Sequence, residues 1–343
     1  MRSGIHTTQN PLAEHMRTPP NDRLNWSNIG LMMVACAASI LAPFHVFLFS
    51  YAVLGPLHYL TEISWLHDRE FFTVRRERRR AWLLFVAATA AVMAFGYIRS
   101  DLMGRPIAPT VEIGMFWLVF VGAAVALYVR HSLNAMAILL IAATAVMISS
   151  GFREYGIIAY LLITVIHVFV FTGCFILYGA AKTRSRSGYA SFVVFMGCAV
   201  AAILVPVPGS VPSGHVQIIY AAFEQLNAVL LGMLGRPVSS VYQSAGIGVM
   251  RFIAFAYTYH YFNWFSKTSI IRWHEVTRLR AAAIVTAWLV GIGIYVYSYR
   301  TGFAVFYLLS ATHVMLEFPL NHQSFVGLAH FLAPGSRRTA GAS

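Results

Sequence analysis

Apolar runs alternate with short polar connectors along almost the whole chain. They fall near 28 to 48, 50 to 66, 82 to 98, 113 to 129, 133 to 150, 155 to 179, 190 to 206, 246 to 266, 281 to 298 and 301 to 318, and a further run, HVQIIYAAFEQLNAVLLGML, covers 215 to 234. Each is close to the roughly 20 residues an α-helix needs to cross a hydrocarbon core. Backbone groups in lipid must be satisfied within their own segment, so the pattern predicts an all-α, polytopic membrane bundle of about 9–10 transmembrane helices. No soluble domain fits between the runs. Residues 1–27 read as a flexible polar tail, 28–333 as one transmembrane domain and 334–343 as a C-terminal tail.

Two places in this pattern need a further argument. From Ile29 to Leu66 the apolar stretch is too long for one helix at about 1.5 Å per residue, so it must turn. Gly55-Pro56, where a backbone hydrogen bond is lost, is the expected break. Two short spans with the N-terminus inside is the preferred arrangement, and one long span followed by a half-helix, with the N-terminus outside, is the alternative. The second place is 215 to 234, which charge decides.

The 343 residues are 58% hydrophobic and 11% charged, yet the formal charge is +13. That excess is confined to connectors: RRERRR at 75 to 80, KTRSR at 182 to 186, RLR at 278 to 280 and RR at 337 to 338. Such placement is the positive-inside signal of a multi-pass protein facing anionic lipid, not a nucleic-acid surface. It puts RRERRR on the cytoplasmic side of a bacterial-type inner membrane. Counting 215 to 234 as a crossing would send Lys267, Arg272, Arg278 and Arg280 to the other side, so this run is expected to be a re-entrant or interfacial helix. Cys36, Cys174 and Cys198 all lie in apolar runs without pairing spacing, which argues against a disulfide framework or a thiolate metal site.

Against this apolar background the buried polar residues stand out. His45, His58, His167, His260 and His313 lie deep in apolar runs, and four of them belong to a pattern. His58 has Glu62 at i+4, His313 has Glu317 at i+4, and His260 has Asn263 at i+3 and Lys267 at i+7. These spacings put both groups on one helix face. A single intramembrane histidine is most often helix-to-helix glue. Several, two with carboxylates that cost about 2.5–3.5 kcal/mol to insert, ask for a cation. Imidazoles suit iron, zinc, copper and nickel, and the i+4 glutamates are placed to orient or supplement them. The expected site is one metal held by His58, His167, His260 and His313, with Glu62 and Glu317 as orienting groups or proton relays, and Asn263 or Tyr259 as polar contacts. The aromatic residues around them, among them Tyr59, Trp65, Tyr257, Tyr261 and Trp264, are either ordinary packing or the walls of a tunnel for a lipophilic substrate.

The order of these pieces resembles the Brp/Blh-like β-carotene dioxygenases, integral membrane enzymes with histidine-held non-haem iron. The likeness rests on GPLHYLTE, VIHVFVF, YTYHYFNWF and SATHVMLEFP, short islands within residues 40 to 320. It implies iron ligation by His58, His167, His260 and His313 and oxygenase chemistry on a carotenoid or other isoprenoid. The chain departs from the family at Trp264, where a second histidine is expected, at Tyr59, where the family has Gly, and at Glu62, where it has Asp. His45, Glu62 or Glu317 are the groups that could replace the missing ligand. The functional expectation is therefore an Fe2+-dependent (or other divalent-metal) oxygenase using O2 on a lipophilic molecule, with membrane lipids as surroundings. The alternatives are a proton- or metal-coupled transporter, in which His/Glu pairs titrate, and a b-type haem protein with two histidines as axial ligands.

Overall fold

A computed structural model describes residues 22–69, 76–103, 109–128, 160–206, 211–237, 241–267 and 276–332, with the single positions 157 and 239. Every regular element among them is helical. In chain order they are α1 (Asp22–Leu41), α2 (Pro43–Asp68), α3 (Arg76–Met103), α4 (Pro109–Tyr128), α5 (Leu162–Thr183), α6 (Arg186–Leu204), α7 (Gly214–Met233), α8 (Ser244–Ser266), α9 (Arg278–Tyr297) and α10 (Tyr299–Leu332). Among the described residues seven helices are long and apolar enough to cross a membrane, so the chain is a multi-pass helical bundle. The apolar run at 133 to 150 and the C-terminal tail lie outside the described residues.

The first long stretch turns elsewhere than expected. The break is at Ala42, whose φ of −142° and ψ of 59° leave the helix. Pro43 then opens α2, because a proline fits the first turn and pushes the residue before it out of the α region. Pro56 lies inside α2 without breaking it. One wide π-turn, Ser50–Leu54, precedes it, and the Gly55 N–H reaches five residues back to the Ser50 carbonyl. Widening the turn moves the carbonyl that the proline ring would otherwise strike. The predicted pair of spans therefore exists, with its boundary moved thirteen residues toward the N-terminus. α1 also starts at Asp22, inside the stretch read as tail.

Side-chain contacts fix the directions of the helices. Ser50 meets Thr258 at 2.8 Å and Trp264 Nε1 donates to Thr61 Oγ1 at 3.0 Å, so α2 and α8 run the same way. Phe169 packs on Phe252 and Thr172 meets His260, which aligns α5 with α8. His167 meets His313, and Tyr178 packs on Phe331, which aligns α10 with α5. The C-terminal ends of α2, α5 and α8, each followed in sequence by basic residues, consequently share one end of the bundle, where Arg280 also pairs with Asp68. Asn25 Nδ2 donates to Ser187 Oγ at 2.8 Å and Asp22 accepts from Ser187, so α1 starts at this basic end too. That is the predicted two-span arrangement.

α7 belongs to the opposite end. Before it, the Val205 carbonyl accepts from Arg251 Nη1 at 3.1 Å; after it, Tyr242 donates to Glu224, and Asn227 Nδ2 donates to the Gly246 carbonyl at 3.2 Å. Both flanks of α7 thus meet the first turns of α8. A 3-10 turn, Ala221–Phe223, interrupts α7 just before Glu224, and Phe223 packs on Phe47 and Tyr51 at the start of α2. Long enough to cross, α7 instead caps this end, in the manner the charge bias predicts.

The core is built around α8. Sixteen of its 23 residues are buried, against two, Gly291 and Tyr295, of the 20 in α9. A helix enclosed on all sides can carry polar groups that an outward-facing helix cannot, because neighbouring helices supply their partners. Asn28 on α1 shows this, accepting from Tyr259 Oη at 3.3 Å and from Ser266 Oγ at 3.0 Å.

Candidate metal centre

α2, α5, α8 and α10 each contribute one histidine to the middle of the bundle. His58, His167, His260 and His313 are all buried, and one ring nitrogen from each lies within 4.8 Å of all the others. His260 Nε2 is 3.0 Å from His58 Nε2, and His313 Nε2 is 3.2 Å from His167 Nε2. A metal–nitrogen bond of about 2.0–2.1 Å would set neighbouring ligand nitrogens roughly 3.0–3.4 Å apart, so these spacings fit one ion. The sequence named the same four residues. A buried four-histidine cluster able to hold a metal is therefore a property of this fold.

Local structure explains how two of the rings reach the cluster. His58 follows the π-turn of α2 by one turn. His167 lies inside a wider π-helical stretch, Leu162–Phe171, in which Thr164 leaves helical geometry at φ −117° and ψ −105°. The Thr164 hydroxyl donates back to the Tyr160 carbonyl at 2.8 Å, a bond that bends helices. π-turns inside α-helices are often found at functional sites.

Around the rings lies a second layer of contacts. Thr172 Oγ1 is 2.9 Å from His260 Nδ1. A proton on Nδ1 donated to that hydroxyl leaves the Nε2 lone pair aimed at the cluster, which fixes the tautomer a ligand needs. Tyr59 stacks on His313 with ring centroids 4.4 Å apart, and its hydroxyl meets that of Tyr261 at 2.9 Å. Glu62 Oε2 lies 3.1 Å from His58 Nε2. Glu317 Oε2 lies 3.2 Å from His167 Nδ1, on a different helix, without the alignment of a hydrogen bond. Asn321 Nδ2 donates to the same Glu317 oxygen at 3.5 Å.

The cluster opens onto a cavity of about 180 Å³. Its polar wall holds His58, His167, His260, Thr172, Glu62, Glu317, Asn263 and Lys267, and its apolar wall Trp65, Phe171, Phe175, Trp264 and Leu320. His313 is the ligand candidate that does not line this space; its ring is stacked on Tyr59. Trp264 packs edge-on to His58 at 5.4 Å between ring centroids.

Other expected residues fall elsewhere. Tyr259 neighbours His260 in sequence, but one residue is about 100° of helix rotation, and its ring packs on Phe195 and Phe255 away from the cavity. Asn263, at i+3 from His260, shares that histidine's face as the spacing predicted. His45 is exposed and supplies no replacement ligand. The i+4 pairing expected of Glu317 with His313 is replaced by the contact with His167. Thr172 escaped the sequence reading because its five-residue offset from His167 shares a face only where π-turns widen the helix.

No family model, curated protein or solved structure matches this chain. What fold and site define together is a multi-pass helical membrane protein with a buried four-histidine centre.

Proposed function

We propose that this protein is a membrane-embedded oxygenase in which non-haem iron, held by His58, His167, His260 and His313, acts on a lipophilic isoprenoid or other lipid with O2. The observation that carries the reading is the meeting of four imidazole nitrogens from four helices within 4.8 Å of one another, with two facing pairs at 3.0 and 3.2 Å. Bound there, iron would supply dioxygen activation. Thr172 would keep His260 in its ligating tautomer, and Tyr59 would hold the His313 ring by stacking. Trp65, Trp264, Phe171, Phe175 and Leu320 give the cavity an apolar wall that excludes water and accepts hydrocarbon. Asn263 offers an amide to a polar group of the substrate or of oxygen. At about 180 Å³ the cavity is smaller than the roughly 300–1,000 Å³ of small-molecule pockets, so it suits one segment of an extended molecule.

The resemblance to the Brp/Blh-like β-carotene dioxygenases supports a carotenoid or related isoprenoid, and Trp264 bears on it directly. Where the family has a histidine, this indole stands against His58 and donates to Thr61. Trp264→His therefore tests the relationship, with tighter iron binding expected if the family's chemistry underlies this site. The basic end of the bundle is proposed to face the cytoplasm of a bacterial-type inner membrane. Lys267, Glu62 and Glu317 in one cavity also suit a proton-coupled transporter, which proton flux in proteoliposomes without oxygen would reveal. A b-type haem held by two of these histidines is the remaining alternative, which a haem absorption band of the purified protein would reveal.

Elemental analysis and an absorption spectrum of the detergent-purified protein are the decisive measurement. One iron per chain without a haem band, together with oxygen uptake on adding an isoprenoid such as β-carotene, is the expected result. Metal content unchanged by both His58→Ala and His260→Ala would remove the site.

A further inference from the structure

Resting on that metal reading, we infer that the two buried glutamates have different jobs: Glu62 is a fifth ligand, and Glu317 is a positioning residue that acts through His167. The distinction comes from which ring nitrogen each carboxylate meets. Glu62 Oε2 is 3.1 Å from His58 Nε2, the same atom that faces His260 Nε2 at 3.0 Å. This oxygen is therefore on the Nε2 side of the ring, at the spacing from that one ligating nitrogen that neighbouring donors around an ion keep.

Glu317 meets its imidazole from behind. Its Oε2 is 3.2 Å from His167 Nδ1, while His167 Nε2 faces His313 Nε2 at 3.2 Å. The two nitrogens of an imidazole lie on different edges, so a group at Nδ1 orients the ring and raises its basicity without entering the ligand set. Thr172 stands in the same relation to His260, at Nδ1, and Asn321 steadies Glu317. Two of the four rings thus have a backing group at Nδ1, whereas the group beside His58 is on the ligating side. Among the described residues His58 Nδ1, His167 Nδ1 and His313 Nδ1 all lack an aligned hydrogen bond, so the contrast between the glutamates rests on which nitrogen each carboxylate approaches.

Four neutral imidazoles and one carboxylate change the centre's chemistry. A divalent ion then carries a net charge of +1 at the site instead of +2. The hard anionic donor would favour a more oxidised iron.

Cobalt(II) loading of the full-length protein, stripped of metal in detergent, separates these roles, because four-coordinate cobalt absorbs visible light much more strongly than five- or six-coordinate cobalt. Wild type is expected to show the weak bands of higher coordination. Glu62→Ala should convert them to intense tetrahedral bands and weaken binding by more than about 100-fold, whereas Glu317→Gln should keep the band shape and weaken binding by about 10–100-fold. Glu62→Asp, which retains a carboxylate, with helical circular dichroism and gel filtration, controls for folding. Matching spectra for wild type and a folded Glu62→Ala would overturn the ligand assignment and leave the four-histidine reading standing. A changed band shape in Glu317→Gln would overturn its positioning role. Wild-type protein that takes up neither cobalt nor iron would overturn the metal reading itself.

Discussion

α2 and α10 carry the same signature, His-x-x-x-Glu, with a proline two residues before the histidine in α2 and two residues after the glutamate in α10. In α2 the pair closes on itself, His58 to Glu62. In α10 it opens: the His313 ring stacks on Tyr59, and Glu317 reaches across to His167 on α5. Spacing along a helix puts two groups on one face, but neighbouring helices decide whether they meet. The same local pattern thus gives an inward-facing carboxylate in one place and a cross-link between helices in the other.

The hardest test of that comparison removes each motif's ring. His58→Ala and His313→Ala should both lose most bound iron, more than the about 10–100-fold that the loss of an outer partner costs, as read by elemental analysis. Retention of metal in only one of them would show that a single motif makes the centre. Next in size is Thr172→Val, which removes the backing group of His260. It should weaken metal binding by about 10–100-fold, with Thr172→Ser restoring it; equal affinity in Val and Ser variants would rule out a tautomer-fixing hydroxyl.

A third pair of variants compares crowding near and far from the cluster. A methyl on Gly55 would come within 2.9 Å of the Tyr59 hydroxyl, and one on Gly327 of α10 within 2.5 Å of the Tyr178 ring. Each alanine variant should cost about 1–3 kcal/mol of stability by overpacking, measured by thermal unfolding in detergent. Gly55→Ala alone should alter the metal spectrum, because Tyr59 lies against His313. The smallest effect is expected from Arg280→Gln, which breaks a half-exposed ion pair with Asp68 at the end of α2. It should change stability by less than about 1 kcal/mol and leave metal content unchanged.

Hydropathy and charge made much of this molecule legible from sequence. Membrane helices are apolar almost all round, so the polytopic class and the helix directions can be read from run length and from basic connectors such as KTRSR, and the placement of α7 follows from the same bias. The four histidines were legible because a polar group in an apolar run is conspicuous. Rotation about a helix axis is a different matter. Nothing in an apolar stretch marks which face Tyr259 takes, and it turns toward α1 and α6 while Asn263 turns to the cavity. Glu317's partner is on another helix, and Thr172's role depends on a widened turn. The boundary at Ala42 was missed because Pro43 and Pro56 look alike in sequence. One starts a helix, and the other is absorbed by a helix already formed.

That absorbed proline has a consequence for how the gene can change. The wide turn Ser50–Leu54 acts as a phase shift between two stretches of α2. Ser50, at the start of the turn, is tied to Thr258, and the stretch after the turn carries His58. Deleting one residue, Ala52 for example, would convert the wide turn into an ordinary one, leave His58 near its present angle relative to Ser50, and set the Pro56 ring against the carbonyl one turn back. Hydropathy, charge and helix length would hardly register the loss. A one-codon deletion that the apolar pattern cannot detect would thus keep His58 in register and strain the helix at Pro56, one half-turn from the centre.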